Sequence, residues 1–132
     1  MSQENVDLVR GVYDDWSRGD FWGLGGLLAP EATFWSELPP GEVLCHGPQE
    51  VAGFFREFLR QWRDYRIEGR EFIDLNDESV LVVGSQFGEG TQSGAQTEQP
   101  LSIVWTFRSG SVIGMYCAIE RDSALEAAGL SE

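Results

Sequence analysis

Val6, Val9, Tyr13 and Trp16 recur at three- and four-residue steps, the spacing of one buried face of a helix. Ser2 or Asn5 can cap its start and Gly19 can end it. Asp20 is placed to cap a second, shorter helix carrying Phe21, Leu24 and Leu28, closed by Pro30. Gly23, Gly25 and Gly26 cost such a helix about 1 kcal/mol each relative to alanine. The stretch "EATFWSELPPGEVLCHG" predicts two short strands around a turn at Pro39, Pro40 and Gly41. Pro48 suits the first turn of a third helix, where Val51, Phe55, Phe58 and Trp62 form a stripe that Phe54 widens.

Beyond Trp62 the period changes to two. "DYRIEGREFIDL", "SVLVVGSQFGEG", "EQPLSIVWTFR" and "SVIGMYCAIE" are separated by the turn-forming groups "NDE", "TQSGAQT" and "SG", which predicts a meander of long antiparallel strands. Helices first and a sheet afterwards make an α+β domain, its helices covering one sheet face. A two-residue turn at Ser109 and Gly110 pairs Arg108 with Ser111. It sets Trp105 opposite Gly114, Ile103 opposite Tyr116 and Leu101 opposite Ala118. On that register Trp105, Tyr116 and Glu120 share one face, and Met115 and Cys117 take the other. Both faces are apolar. The helices cover one, and a second copy of the same sheet is the simplest cover for the other, so a homodimer is expected.

The chain of 132 residues is read as one domain, with 42% hydrophobic, 12% aromatic and 23% charged residues, a globular composition. A formal charge of −13 repels phosphate backbones and anionic membrane faces, so neither nucleic acid nor membrane is an expected partner. Cys45 and Cys117 sit in apolar surroundings without metal-ligand spacing. Free thiols, no metal and a reducing cytoplasm follow as expectations.

Three segments, "RGDFWGLGGLLAPEATFW", "CHGPQEVAGFFREFL" and "WTFRSGSVIGMYCAIERDSALEAAGL", resemble the SnoaL-like branch of the nuclear transport factor 2-like superfamily. The resemblance spans nearly the whole chain, 1–132. It implies a cystatin-like α+β roll: a cone of N-terminal helices on a strongly curved antiparallel sheet, enclosing a cavity and dimeric through the outer sheet face. The superfamily holds ketosteroid isomerases, polyketide cyclases, dehydratases and epoxide hydrolases together with members of no known chemistry, so the resemblance implies no single reaction, and no cofactor is expected. The proton-shuttling Asp of the isomerases falls at Ser36, and their carbonyl-polarising Tyr near Val12, one residue from Tyr13. The Asp and His of the cyclases fall at Cys117 and Ile103. None of these side chains is a competent acid or base at neutral pH.

The remaining acidic place of the family, at the end of the last strand, is kept as Glu120. If it faces the cavity, desolvation raises its pKa and suits it to proton transfer, with His46 as a partner. The alternative is that Glu120 flanks the N-terminus of the last helix and that His46 braces a loop. Tyr13, Trp16, Trp35, Phe55, Trp105 and Tyr116 are the expected aromatic lining for a small hydrophobic ligand, or else simply the core. Two function classes stand open: a ligand pocket without assigned chemistry, and a cofactor-free isomerase, cyclase or dehydratase using Glu120.

Overall fold

The computed structural model describes residues 2–21, 23–38 and 41–130. The chain runs α1 (Ser2–Ser17), a 3-10 turn (Gly23–Gly26), β1 (Leu28–Ser36), β2 (Val43–His46), α2 (Gly47–Arg60), β3 (Trp62–Asn76), β4 (Ser79–Gly90), β5 (Gln96–Arg108), β6 (Ser111–Ala118) and α3 (Arg121–Ala127). The apolar stripe of α1 is buried as its spacing predicts. Asn5 lies inside this helix, and its side-chain amide donates to the Asp77 carbonyl at 3.0 Å, tying α1 to the turn between β3 and β4. A Ser2 side-chain cap and the turn at Pro39 and Pro40 lie outside the described residues.

The second helix is not formed. Three glycines among four residues leave only the 3-10 turn, and β1 runs straight through Pro30. Proline is tolerated there because the pairing of β1 with β6 is irregular between Leu28 and Thr33. The third helix ends at Arg60, so Trp62 opens β3. At its start the Glu50 carboxylate accepts the His46 backbone N–H at 2.8 Å.

The six strands form one sheet in the order β2-β1-β6-β5-β4-β3. Its neighbours are antiparallel except β1 and β6, which run parallel, so the sheet is mixed. Bulges bend it. On β3 the register against β4 shifts between Arg63 and Arg66 and again between Gly69 and Glu71, leaving an extra β3 residue each time.

A further bulge overturns the expected faces of the last hairpin. Ser109 and Gly110 both have positive φ, 52° and 81°, as a two-residue turn of the hairpin type requires, and Arg108 pairs with Ser111. Phe107 then pairs with Val112, but Thr106 pairs with Gly114, so Ile113 is an extra residue on β6. From there the register is one residue off: Trp105 faces Met115, Val104 faces Tyr116 and Ile103 faces Cys117. A one-residue slip exchanges the two faces. Met115 and Cys117 thus join the inner face with Leu101, Ile103 and Trp105, while Tyr116 joins Val104 on the outer face.

The inner face packs under α1 and α2 in the larger core. On the outer face Leu81, Val104 and Ala118 are buried beneath α3, through Ala124 and Leu125. Part of the second cover expected from another copy therefore comes from the chain's own last helix.

Candidate functional site

Between α2 and the inner sheet face lies a cavity of about 220 Å³. Phe54, Phe55 and Phe58 descend into it from α2, Phe34 and Ser36 rise from β1, and Trp16 reaches it from α1. Leu101 and Ile103 of β5 and Met115 and Cys117 of β6 form its floor. The exposed Glu57 and Gln61 mark its rim.

Trp62 and Tyr65 are three apart on one strand, yet both line the cavity and lie 6.2 Å apart, ring to ring. Alternation alone would send them to opposite faces. The bulge between Arg63 and Arg66 restores them to one side, with Asp64 carrying φ 52°. Gly88 makes the room: a Cβ there would stand 2.8 Å from the Trp62 ring.

One end of the cavity is polar but uncharged. The Tyr65 hydroxyl donates to Gln86 Oε1 at 2.6 Å, and Gln86 Nε2 donates to Gln99 Oε1 at 2.7 Å. On the β1 side of the lining the buried Ser36 accepts the Leu38 backbone N–H at 3.2 Å and pairs in register with Cys117. Burial pushes the Tyr65 hydroxyl well above its ordinary pKa, and the Cys117 thiol nearby adds to the shift. Burial likewise raises Cys117, so both groups are held protonated and neutral. Behind this wall Tyr13 is raised chiefly by burial. The Trp105 indole beside it opposes that shift, though its N–H has no partner of hydrogen-bond geometry among the described residues.

The structure redistributes the residues expected at the site. Trp16 and Phe55 line the cavity. Tyr13 and Trp105 are buried in the core, their rings 6.1 Å apart, outside the lining. Trp35 and Tyr116 lie instead along an outer-face groove with Leu44, where the Trp35 indole donates to Glu42 Oε2 at 2.6 Å. Glu120 is exposed at the N-cap of α3 and absent from the cavity lining. The Ile113 bulge is the reason, because it removes Glu120 and Tyr116 from the Trp105 face. His46 is also exposed, paired with Thr33 and one residue from the inward Cys45. The structure therefore does not bring Glu120 and His46 to the cavity. All three inner positions that the resemblance fills with an acid or base, Ser36, Ile103 and Cys117, do line it.

Sequence reasoning missed Tyr65 and Gln86 as a polar pair. A mid-strand Gln opposite Gln99 on a face that is otherwise apolar was the available signal. Among the described residues no group of three or more His, Cys, Asp or Glu is arranged to hold a metal ion. No helix among them is long and apolar enough to cross a membrane.

A family model for the SnoaL-like domain matches residues 9–115. The chain belongs to the SnoaL-like family. Among solved structures, this SnoaL-like domain is similar to an NTF2-like protein of unknown function from Burkholderia pseudomallei K96243. The TM-score is 0.77 at 23% identity, covering 93% of this chain and 95% of that one. It is also similar to a hypothetical protein of ketosteroid isomerase-like fold from Catenulispora acidiphila DSM 44928, solved in complex with trimethylamine. There the TM-score is 0.74 at 15% identity, with 92% of each chain covered. TerC, co-crystallised with polyporic acid, aligns at TM-score 0.74 and 17% identity over 96% of this chain and 97% of that one. At these identities the likeness is one of fold. Among curated proteins no sequence match is found.

Proposed function

We propose that this SnoaL-like domain binds a small, neutral, largely apolar molecule in the cavity beneath α2. The single observation that carries the reading is the lining. Among the described residues it is aromatic and aliphatic with a few neutral polar groups, and its one carboxylate, Glu57, is exposed at the rim and paired with Arg60 at 3.0 Å. Sites of this kind, apolar with a few convergent polar groups, are the usual form of small-molecule pockets. Co-crystallisation of TerC with polyporic acid is a precedent for an organic guest in a protein of this fold.

Proton transfer through Glu120, the competing reading, lacks a base inside: Ser36, Ile103 and Cys117 stand where the related enzymes carry theirs, and Glu120 is exposed, outside the lining. The purified protein is expected to retain a noncovalent small molecule in native mass spectrometry. Leu101→Trp, which fills the cavity, should cut that retention by about tenfold or more, the order of one or two kcal/mol of lost fit. Glu120→Gln and His46→Ala should leave it unchanged. Equal retention by Leu101→Trp would overturn the reading.

We propose further that the chain pairs with a second copy through the outer sheet face, in the cytoplasm. Support comes from the apolar residues that α3 leaves open: Leu44 is 56% exposed, and Trp35, Tyr116, Ile73 and Val83 are only partly buried. Light scattering should give twice the chain mass. Leu44→Glu, which sets a charge on that face, should return the mass to that of one chain at micromolar concentration.

A further inference from the structure

The cavity's uncharged polar end sets a definite demand on what fills it, given the binding reading above, on which this inference rests. Tyr65 has committed its hydroxyl hydrogen to Gln86 Oε1 at 2.6 Å, and the Gln86 amide is held in that orientation by its own donation to Gln99 at 2.7 Å. Tyr65 Oη is therefore left with lone pairs: it can accept but has no hydrogen to give. Ser36 has the opposite balance. Its Oγ already accepts from the Leu38 N–H at 3.2 Å, which leaves its hydroxyl hydrogen to donate. Both lie in the lining, Tyr65 on β3 and Ser36 on β1, so a guest meets an acceptor at the one and a donor at the other.

Size narrows the guest further. An apolar cavity of about 150 Å³ takes benzene, so about 220 Å³ takes a substituted single ring or a fused bicycle. Charge narrows it again. Among the described residues the lining holds no cation to pair an anion and no carboxylate except the exposed Glu57, and an ion buried without a partner is strongly disfavoured. We infer that the cavity selects a neutral one- or two-ring molecule carrying a hydroxyl group on one edge, which donates to Tyr65 Oη.

Naphthalene, 2-naphthol and 2-naphthoate share one bicyclic frame and differ only at that edge, so calorimetric titration of the protein with each at pH 7 tests the inference. Naphthalene should bind measurably and 2-naphthol about tenfold more tightly, the net worth of a satisfied hydrogen bond. The anion 2-naphthoate should bind at least about a hundredfold more weakly than 2-naphthol. Tyr65→Phe removes the acceptor but keeps the ring, so in that variant 2-naphthol should fall toward the affinity of naphthalene. If naphthalene binds and 2-naphthol binds no better, or if the preference for 2-naphthol over naphthalene survives Tyr65→Phe, the inference is overturned while the pocket reading stands. If none of the three compounds binds, the pocket reading fails and the inference fails with it.

Discussion

Gly84→Ala is expected to destabilise the protein by about 4 kcal/mol or more, or to prevent folding altogether. Gly84 lies mid-strand on β4, between Gly69 of β3 and Leu101 of β5. A Cβ on it would stand 1.8 Å from the Glu68 carbonyl oxygen and 2.9 Å from that carbonyl carbon. These are backbone atoms of a paired strand, which cannot swing aside as a side chain can. Relief requires pulling β3 off β4 at the bulge that follows Gly69, where the strand bends. A loss beyond 4 kcal/mol is exceptional for one methyl group, and a typical domain has only about 5–15 kcal/mol to lose. Gly11→Ala is the control. It adds the same methyl group to an exposed position of α1 with nothing within 4 Å, and should stabilise by about 0.5–1 kcal/mol. Urea unfolding of the two variants separates steric conflict from a generic glycine effect. Comparable midpoints for both would mean that β3 does not press on β4 as described.

The same crowding explains what the amino-acid pattern reveals and what it conceals. Long periodic runs survive tertiary packing, so α1, α2 and four long strands are legible from spacing alone. The 20–28 region is not, because its apolar residues fit a helical period while its glycines remove the propensity to keep one. Only the neighbouring β6 decides that Leu28 begins a strand. The resemblance of the three quoted segments reached the correct family, now matched over residues 9–115.

The candidate site was less legible, for a more specific reason. A bulge adds one residue, which leaves the local alternation nearly intact but exchanges every face beyond it. Ile113 does this to β6, taking Tyr116 and Glu120 away from the cavity and delivering Cys117 to it. The adjacent Gly114 was the one clue in the chain, since an isolated glycine in a strand often marks a bulge. A Cβ there would meet Thr106 Oγ1 at 2.6 Å and the Tyr116 ring at 2.7 Å. On β3 the bulge at Asp64 acts in the opposite sense, bringing Trp62 and Tyr65 to one side despite their odd separation. Neither effect has a periodicity to betray it.

Alkaline pH should unfold the protein steeply, and the sign follows from the buried hydroxyls and thiol. Tyr13, Tyr65 and Cys117 are each raised above their ordinary values of 10.0, 10.0 and 9.0, with burial the first cause in every case. For a raised pKa the contribution to stability is complete below the unfolded-state value and falls as pH rises past it, because the unfolded chain then releases protons that the folded chain retains. The loss therefore begins near pH 9 with the thiol and steepens above pH 10 with the phenols. Three protons retained by these groups correspond to about 4 kcal/mol per pH unit, to which Cys45, raised by burial and by the Glu50 carboxylate, adds a further part, until the folded groups ionise in turn. All nine cationic side chains are arginine, with no lysine in the chain, and arginine stays charged throughout this range. Tyrosine and cysteine consequently dominate the titration. Urea unfolding at pH 8, 9, 10 and 11 under reductant measures the slope. Tyr65→Phe and Cys117→Ala should each reduce it by about a quarter to a third above pH 10, even where the cavity enlarged by Cys117→Ala lowers stability at every pH. A flat profile from pH 9 to 11, or an unaltered slope in both variants, would mean that water already reaches these groups in the folded protein. In that case the polar end of the cavity is hydrated rather than dry.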